Sequence, residues 1–175
     1  MRMMGMTQTL PDLSRRGLMT SSAAFGLLAL TVRPARAADP EAAYAASPVR
    51  KLTDADWKKR LSSASFNVMR QEGTEYPFTS PLLGEHRKGT FVCIGCELPL
   101  FRSDWKYDSH TGWPSFWRAI DGALDKKRDT SIGMERTEYH CARCLGHQGH
   151  VFDDGPPPTG LRYCNNGVAL KFVAG

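Results

Sequence analysis

Gly89-Thr90-Phe91-Val92-Cys93-Ile94-Gly95-Cys96 is a short apolar run that leads straight into a Cys-x-x-Cys pair. Aromatic and β-branched residues suit a pleated, half-buried strand, and Ile94-Gly95 is a turn signal that ends it. The same texture recurs downstream. Strands are predicted over Met134 to Cys141, Val151 to Asp153, Leu161 to Cys164 and Val168 to Val173, with further turns at Asp121-Gly122, Asp154-Gly155 and Asn166-Gly167. Many short strands with frequent turns predict a mainly β domain of antiparallel sheets. Upstream the pattern is helical. Thr53-Asp54-Ala55-Asp56 is a capping signal for a short helix carrying Trp57 and Leu61. Ser62 to Ser65 stops that helix and caps a second one through Phe66, Val68 and Met69, with Gly73 as its C-terminal glycine.

The cysteines fall at 93, 96, 141, 144 and 164. Cys93/Cys96 and Cys141/Cys144 supply four thiolates, the set that a tetrahedral structural zinc takes. Gly95 is read as the residue that permits the tight turn of the first pair. The pairs are 44 residues apart, so one Zn²⁺ would staple distant stretches of chain and keep no open position for catalysis. Two disulfides are the alternative, because exported cysteines are often oxidised.

Cys164 is left over, which marks a reactive thiol or an inert buried one. Arg162 lies two residues away on a predicted strand and so projects from the same face, where a cation favours the thiolate. Asn166 is next in that alternation. His147 and His150, in Gly146-His147-Gln148-Gly149-His150, are candidate proton donors near neutral pH.

The amino terminus reads as an export leader over residues 1–37. Arg15-Arg16 precede an uncharged apolar stretch from Leu18 to Val32, and Ala35-Arg36-Ala37 is a small-residue cleavage site. The stretch is shorter than the roughly 20 residues of a spanning helix. The arginine pair is that of a twin-arginine signal, whose cargo crosses already folded. Thiols that fold before export meet metal before oxidant, which favours zinc over disulfides. Residues 1–37 carry five of the 23 basic residues and one of the 18 acidic ones, so 18 bases face 17 acids in the mature chain. That balance leaves no basic field to suggest a nucleic-acid or anionic-membrane surface. Residues 38–50 are Ala-rich and uneven and read as a mobile linker. Residues 51–175 make one domain.

The residues then resemble a family, the B-type methionine sulfoxide reductases, which act on the R epimer at sulfur. The matching runs are Gly73-Thr74-Glu75-Tyr76-Pro77-Phe78, Ser103-Asp104-Trp105-Lys106-Tyr107-Asp108-Ser109, Gly112-Trp113-Pro114-Ser115-Phe116, Gly146 to Phe152, Asp154-Gly155-Pro156, Pro158 to Cys164, Asn166 and both Cys-x-x-Cys pairs. The likeness covers about residues 51 to 173. It implies two antiparallel sheets behind short N-terminal helices, and structural zinc on Cys93, Cys96, Cys141 and Cys144. It implies Cys164 as nucleophile and Trp113 as the wall for the substrate methyl group. His147, His150 and Asn166 would polarise the sulfoxide oxygen, with Asp154 and Arg162 in support.

Three positions depart from the family pattern. Thr111 stands where many members carry a resolving cysteine, so an external thiol is expected to complete the cycle: a small thiol, a glutaredoxin-like or a thioredoxin-like protein. Gln148 replaces the usual leucine between the histidines, and His110 replaces a usual glycine. The expected substrate is methionine sulfoxide, free or in oxidised proteins. The expected setting is the periplasm or the exterior, as a monomer that keeps no membrane anchor after cleavage. A non-catalytic zinc module would leave Cys164 unexplained, and a peroxidase-like thiol enzyme would not need Trp113.

Overall fold

A computed structural model describes residues 39–131 and 133–175; the leader expected over 1–37 lies outside the described residues. Helix α1 (Asp54–Arg60) opens on a full capping box, with the Thr53 hydroxyl accepting from the Asp56 N–H and the Asp56 carboxylate accepting from the Thr53 N–H. Helix α2 (Ser63–Gln71) is capped by Ser62. Its left-handed C-terminal residue is Glu72, with φ 57°, rather than the expected Gly73. Both helices turn Trp57, Phe66, Val68 and Met69 inward, where they are buried. Among the described residues no helix is long and apolar enough to cross a membrane.

The described strands form two antiparallel sheets, as the sequence predicts. In the smaller, β1 (Gly89–Cys93) lies between β2 (Pro99–Arg102) and β9 (Leu170–Ala174). The larger runs in the order β3 (Lys106–Tyr107), β4 (Ser115–Phe116), β8 (Arg162–Asn165), β7 (His147–Phe152), β6 (Arg136–Cys141), β5 (Leu124–Asp129). Aromatic rings fill the space between the sheets. Phe101 of β2 stacks on Phe116 of β4 at 4.2 Å and meets Tyr139 of β6 edge-on at 6.2 Å. Phe91 of β1 packs edge-on against Phe116 at 5.0 Å.

Three expectations are corrected. Strand β7 begins at His147, four residues ahead of the predicted Val151, so both candidate histidines sit on the strand rather than upstream of it. The predicted strand from Val168 starts instead with a 3₁₀ turn over Gly167–Ala169. Within the expected linker of residues 38–50, the described residues are docked. Arg50 donates to the carbonyls of Ala142, Arg143 and Glu41, and the Glu41 carboxylate meets His140 Nε2 at 2.6 Å. The contacts to β6 and to the turn after it hold the segment against the domain.

Because Phe101 is fully buried between both sheets, Phe101→Ala is expected to cost about 3–5 kcal/mol. Urea unfolding followed by tryptophan fluorescence measures this, and a loss below about 1 kcal/mol would contradict the packing described.

Candidate active site

The two Cys-x-x-Cys pairs are built alike. Each begins on the last residue of a strand, Cys93 on β1 and Cys141 on β6. In each, the N–H of the residue after the second cysteine returns to the carbonyl of the first: Glu97 to Cys93 at 2.8 Å, Leu145 to Cys141 at 2.9 Å. Glu97 and Leu145 are also the left-handed residues of the two turns, with φ 59° and 60°. Gly95 therefore does not supply the turn as the sequence suggests. A Cβ there would lie 2.9 Å from Met69 Cε and 3.1 Å from the Trp57 ring, so glycine serves the close approach of α1 and α2.

The four sulfurs lie within 4.8 Å of one another, with Cys93 and Cys144 3.6 Å apart and Cys96 and Cys141 3.5 Å apart. A tetrahedral zinc with Zn–S bonds of about 2.3 Å sets sulfurs at roughly 3.8 Å, whereas a disulfide needs about 2.05 Å. The cluster fits a metal ion. Arginines cap the carbonyls around it: Arg60 on Gly95, Arg143 on Cys96, Arg70 on Cys144 and Arg50 on Ala142.

The reactive pocket lies on the larger sheet. Cys164 of β8 stands directly opposite His150 of β7 and Ser115 of β4, so the three share one face. A cavity of about 120 Å³ is lined by Cys164, His150, Asn166 and Trp113, together with Thr74, Arg136 and Phe152. Close approach of β7 to β8 needs a glycine at 149, where a Cβ would fall 1.9 Å from the Cys164 carbonyl oxygen. The loop that carries Glu75 shapes the other wall. Its carbonyl accepts from Trp113 Nε1 at 3.2 Å, its N–H donates to Asn166 Oδ1 at 3.0 Å, and its carboxylate accepts from the N–H groups of Gly167 and Val168. Burial pushes the Glu75 carboxyl up, and those two N–H bonds oppose the shift.

A register shift decides where the histidines point. Tyr139 of β6 pairs with Gly149, but His140 pairs with His147, so Gln148 is an extra residue on β7. Histidines three apart would face opposite sides of a regular strand. The bulge brings them together instead, with ring centroids 5.5 Å apart. Of the two, His150 lines the pocket and His147 is buried behind it. Each imidazole faces a carboxylate that is itself paired with a cation. His150 Nε2 lies 2.7 Å from Asp129, which Arg136 holds at 2.5 Å. His147 Nδ1 lies 3.0 Å from Glu138, which Lys127 approaches at 3.1 Å.

Arg162 sits beside Cys164 and is fixed by a two-pronged bond to Asp154, both contacts at 2.8 Å. Burial pushes the Cys164 thiol up, while the Arg162 cation and hydrogen bonds from Thr111 and Arg162 pull it down. Burial lowers His150, against the Asp129 hydrogen bond that raises it. Asp129 is held well below the usual carboxylate range, chiefly by hydrogen bonds from Ser131 and then His150. Four of the seven expected site residues thus line the pocket, Arg162 and Asp154 flank it, and His147 lies behind it.

The sequence reading missed Asp129, Arg136, Glu138 and Glu75. Arg136 and Glu138 alternate on the predicted β6 with the period that faces β7, a signal that pairing the two strands would have exposed. Of the three departures from the family pattern, Thr111 meets Cys164, and the His110 side chain is exposed beside Asp108. Gln148 points away from the pocket to Cys93.

An oxidisable sulfur reached from solvent, with a cation beside it and an imidazole opposite, belongs to a thiol-dependent oxidoreductase. Comparison with known proteins narrows the class. The SelR domain family matches residues 61–174. Proteins called peptide methionine sulfoxide reductase MsrB are similar over most of their lengths. The one from Leptospira interrogans is 54% identical over 121 residues, covering 69% of this chain and 92% of its own. That from Agrobacterium fabrum is 49% identical, covering 72% and 94%, and that from Pseudomonas putida (strain W619) is 55% identical, covering 67% and 89%. The chain belongs to this family, the B-type peptide methionine sulfoxide reductases.

Since Arg162 draws the Cys164 thiol down, Arg162→Met is expected to move the pH midpoint of Cys164 alkylation by iodoacetamide to higher pH. Mass spectrometry of the alkylated peptide follows this, and an unmoved midpoint would remove Arg162 from the account.

Proposed function

We propose that the protein reduces methionine-R-sulfoxide, free or within oxidised proteins, through a sulfenic acid on Cys164 that an external thiol reduces. The observation that carries this is Cys164 and His150 side by side on one sheet face, lining one small cavity walled by Trp113. The Trp113 ring offers an apolar surface to the methyl group, which leaves the sulfoxide oxygen to the polar side of the pocket.

The Cys164 thiolate attacks the sulfoxide sulfur. The oxygen leaves that sulfur only if protonated, and His150 stands in place to donate the proton; general acid catalysis of this kind is worth about 10²–10⁴-fold. Oxygen passes to Cys164, which is oxidised by two electrons to sulfenic acid while methionine is released. Two external thiol equivalents then return Cys164 to the thiol, forming a disulfide and water. Thr111 stands near Cys164 and offers a hydroxyl where a resolving sulfur would have to be, so the reductant comes from outside.

His150 acts with Asp129 as a positioning residue. The contact from His150 Nε2 to Asp129 leaves Nδ1 as the nitrogen free for the pocket. Asn166 lines the same cavity, its Nδ2 donating to the Gln148 carbonyl at 3.0 Å with a second N–H to spare. Zinc on Cys93, Cys96, Cys141 and Cys144 would supply a structural cross-link and no chemistry of the reaction. The paired arginines, apolar stretch and Ala-x-Ala site of residues 1–37 support twin-arginine export to the periplasm or beyond.

Cys164→Ser, assayed on both epimers with a dithiol reductant, is expected to lose all R-sulfoxide turnover, and the unaltered protein to spare the S epimer. Retained activity, or preference for S, overturns the assignment. The pH dependence gives a second check. The thiol lies above its ordinary value and His150 below its own, so the reactive pair, thiolate with imidazolium, peaks between their two pKa values. Because Asp129 raises His150, Asp129→Asn should shift the acid limb of the single-turnover pH profile to lower pH. A thiol limb that moves instead would assign Asp129 to Cys164.

A further inference from the structure

We propose that Gln148 is a hydrogen-bond donor to the metal-binding thiolates, and that through Cys93 it sets how tightly the cluster keeps its metal; this rests on the zinc reading above. Gln148 is the extra residue of the β7 bulge, so its side chain points opposite to the two histidines and into the interior. It is fully buried. Its Nε2 lies 3.7 Å from Cys93 Sγ and 3.5 Å from the Gly146 carbonyl oxygen, while Oε1 has no partner. A buried amide oxygen left unmet is a cost, and a leucine at this position would not incur it. The contact that offsets it is the N–H on sulfur.

The charge balance explains that contact. Four thiolates on a dication leave a net charge of −2. Cys93 is fully buried, so solvent cannot spread its share of that charge. The Leu98 N–H serves Cys96, and the Gln148 amide serves Cys93. The opposite orientation of the amide, oxygen toward sulfur, needs an S–H donor, and a metal-bound thiolate has none. Metal loading therefore fixes the amide with nitrogen on sulfur. The same residue also reaches the pocket, because its backbone carbonyl accepts from both the N–H and the Nδ2 of Asn166, at 2.8 and 3.0 Å. One bulge residue thus links the metal ligands with a wall of the reactive cavity.

Outer hydrogen bonds to metal ligands typically contribute 10–100-fold in metal affinity. The test compares the unaltered chain with Gln148→Leu and with Gln148→Met, which keeps the length of the side chain and loses its donor. Zinc transfer to a colorimetric chelator and the thiolate-to-metal charge-transfer band of the cobalt-substituted protein are measured for all three. Both variants are expected to release zinc about tenfold faster, and their cobalt bands to move to lower energy. Equal release rates with unmoved bands in whichever variant folds overturn the proposal. Absence of metal from the unaltered protein, weighed by native mass spectrometry, overturns the zinc reading itself.

Discussion

Four sulfurs bring the two sheets together at one point and, with a metal between them, would hold the sheets in register. Cys93 closes β1 of the small sheet and Cys141 closes β6 of the large one, so a metal bound there would be a rivet between two layers that otherwise meet through apolar side chains. The rivet lies far from Cys164 in role but not in connection. β6 passes from the cluster along β7 and carries Glu138 and Arg136 toward the two histidines. Any sliding of one sheet on the other would move the sulfurs apart and tilt β7 together with its imidazoles.

Paired charges behind the pocket do a second kind of positioning. Each histidine leans on a carboxylate, and each carboxylate is held by a cation from the neighbouring strand. Arg162 is treated in the mirror sense, a cation held by Asp154. The groups that face the substrate are therefore fixed by bonds on the side away from it. That leaves one nitrogen of His150 and the sulfur of Cys164 turned to the pocket.

Much of this was legible in the chain. The capping box at Thr53, strand β1 with its Cys-x-x-Cys turn, and the lone status of Cys164 follow from local patterns. Strand β5 did not, because Leu124–Asp129 is mostly charged; an edge strand carries charge to block further pairing, and charge erases the alternation that marks a strand. Asp129, at the end of β5, was hidden with it. The bulge at Gln148 was equally invisible, since an extra residue shows only once β6 and β7 are paired, and it alone decides that His147 and His150 share a face. Residues 38–50 looked like a linker by composition, yet Glu41 and Arg50, with Tyr44 and Val49 packed on the core, dock the described part of them.

The arginines around the cysteine turns come from four separate places: the docked N-terminal segment, α1, α2 and the second turn itself. Each grips a carbonyl whose orientation is set by the turn it caps, so a turn that has not closed offers them nothing to hold. The amino-terminal end of the domain is thus a clasp, with three of the four guanidinium groups reaching from it over the cysteine turns.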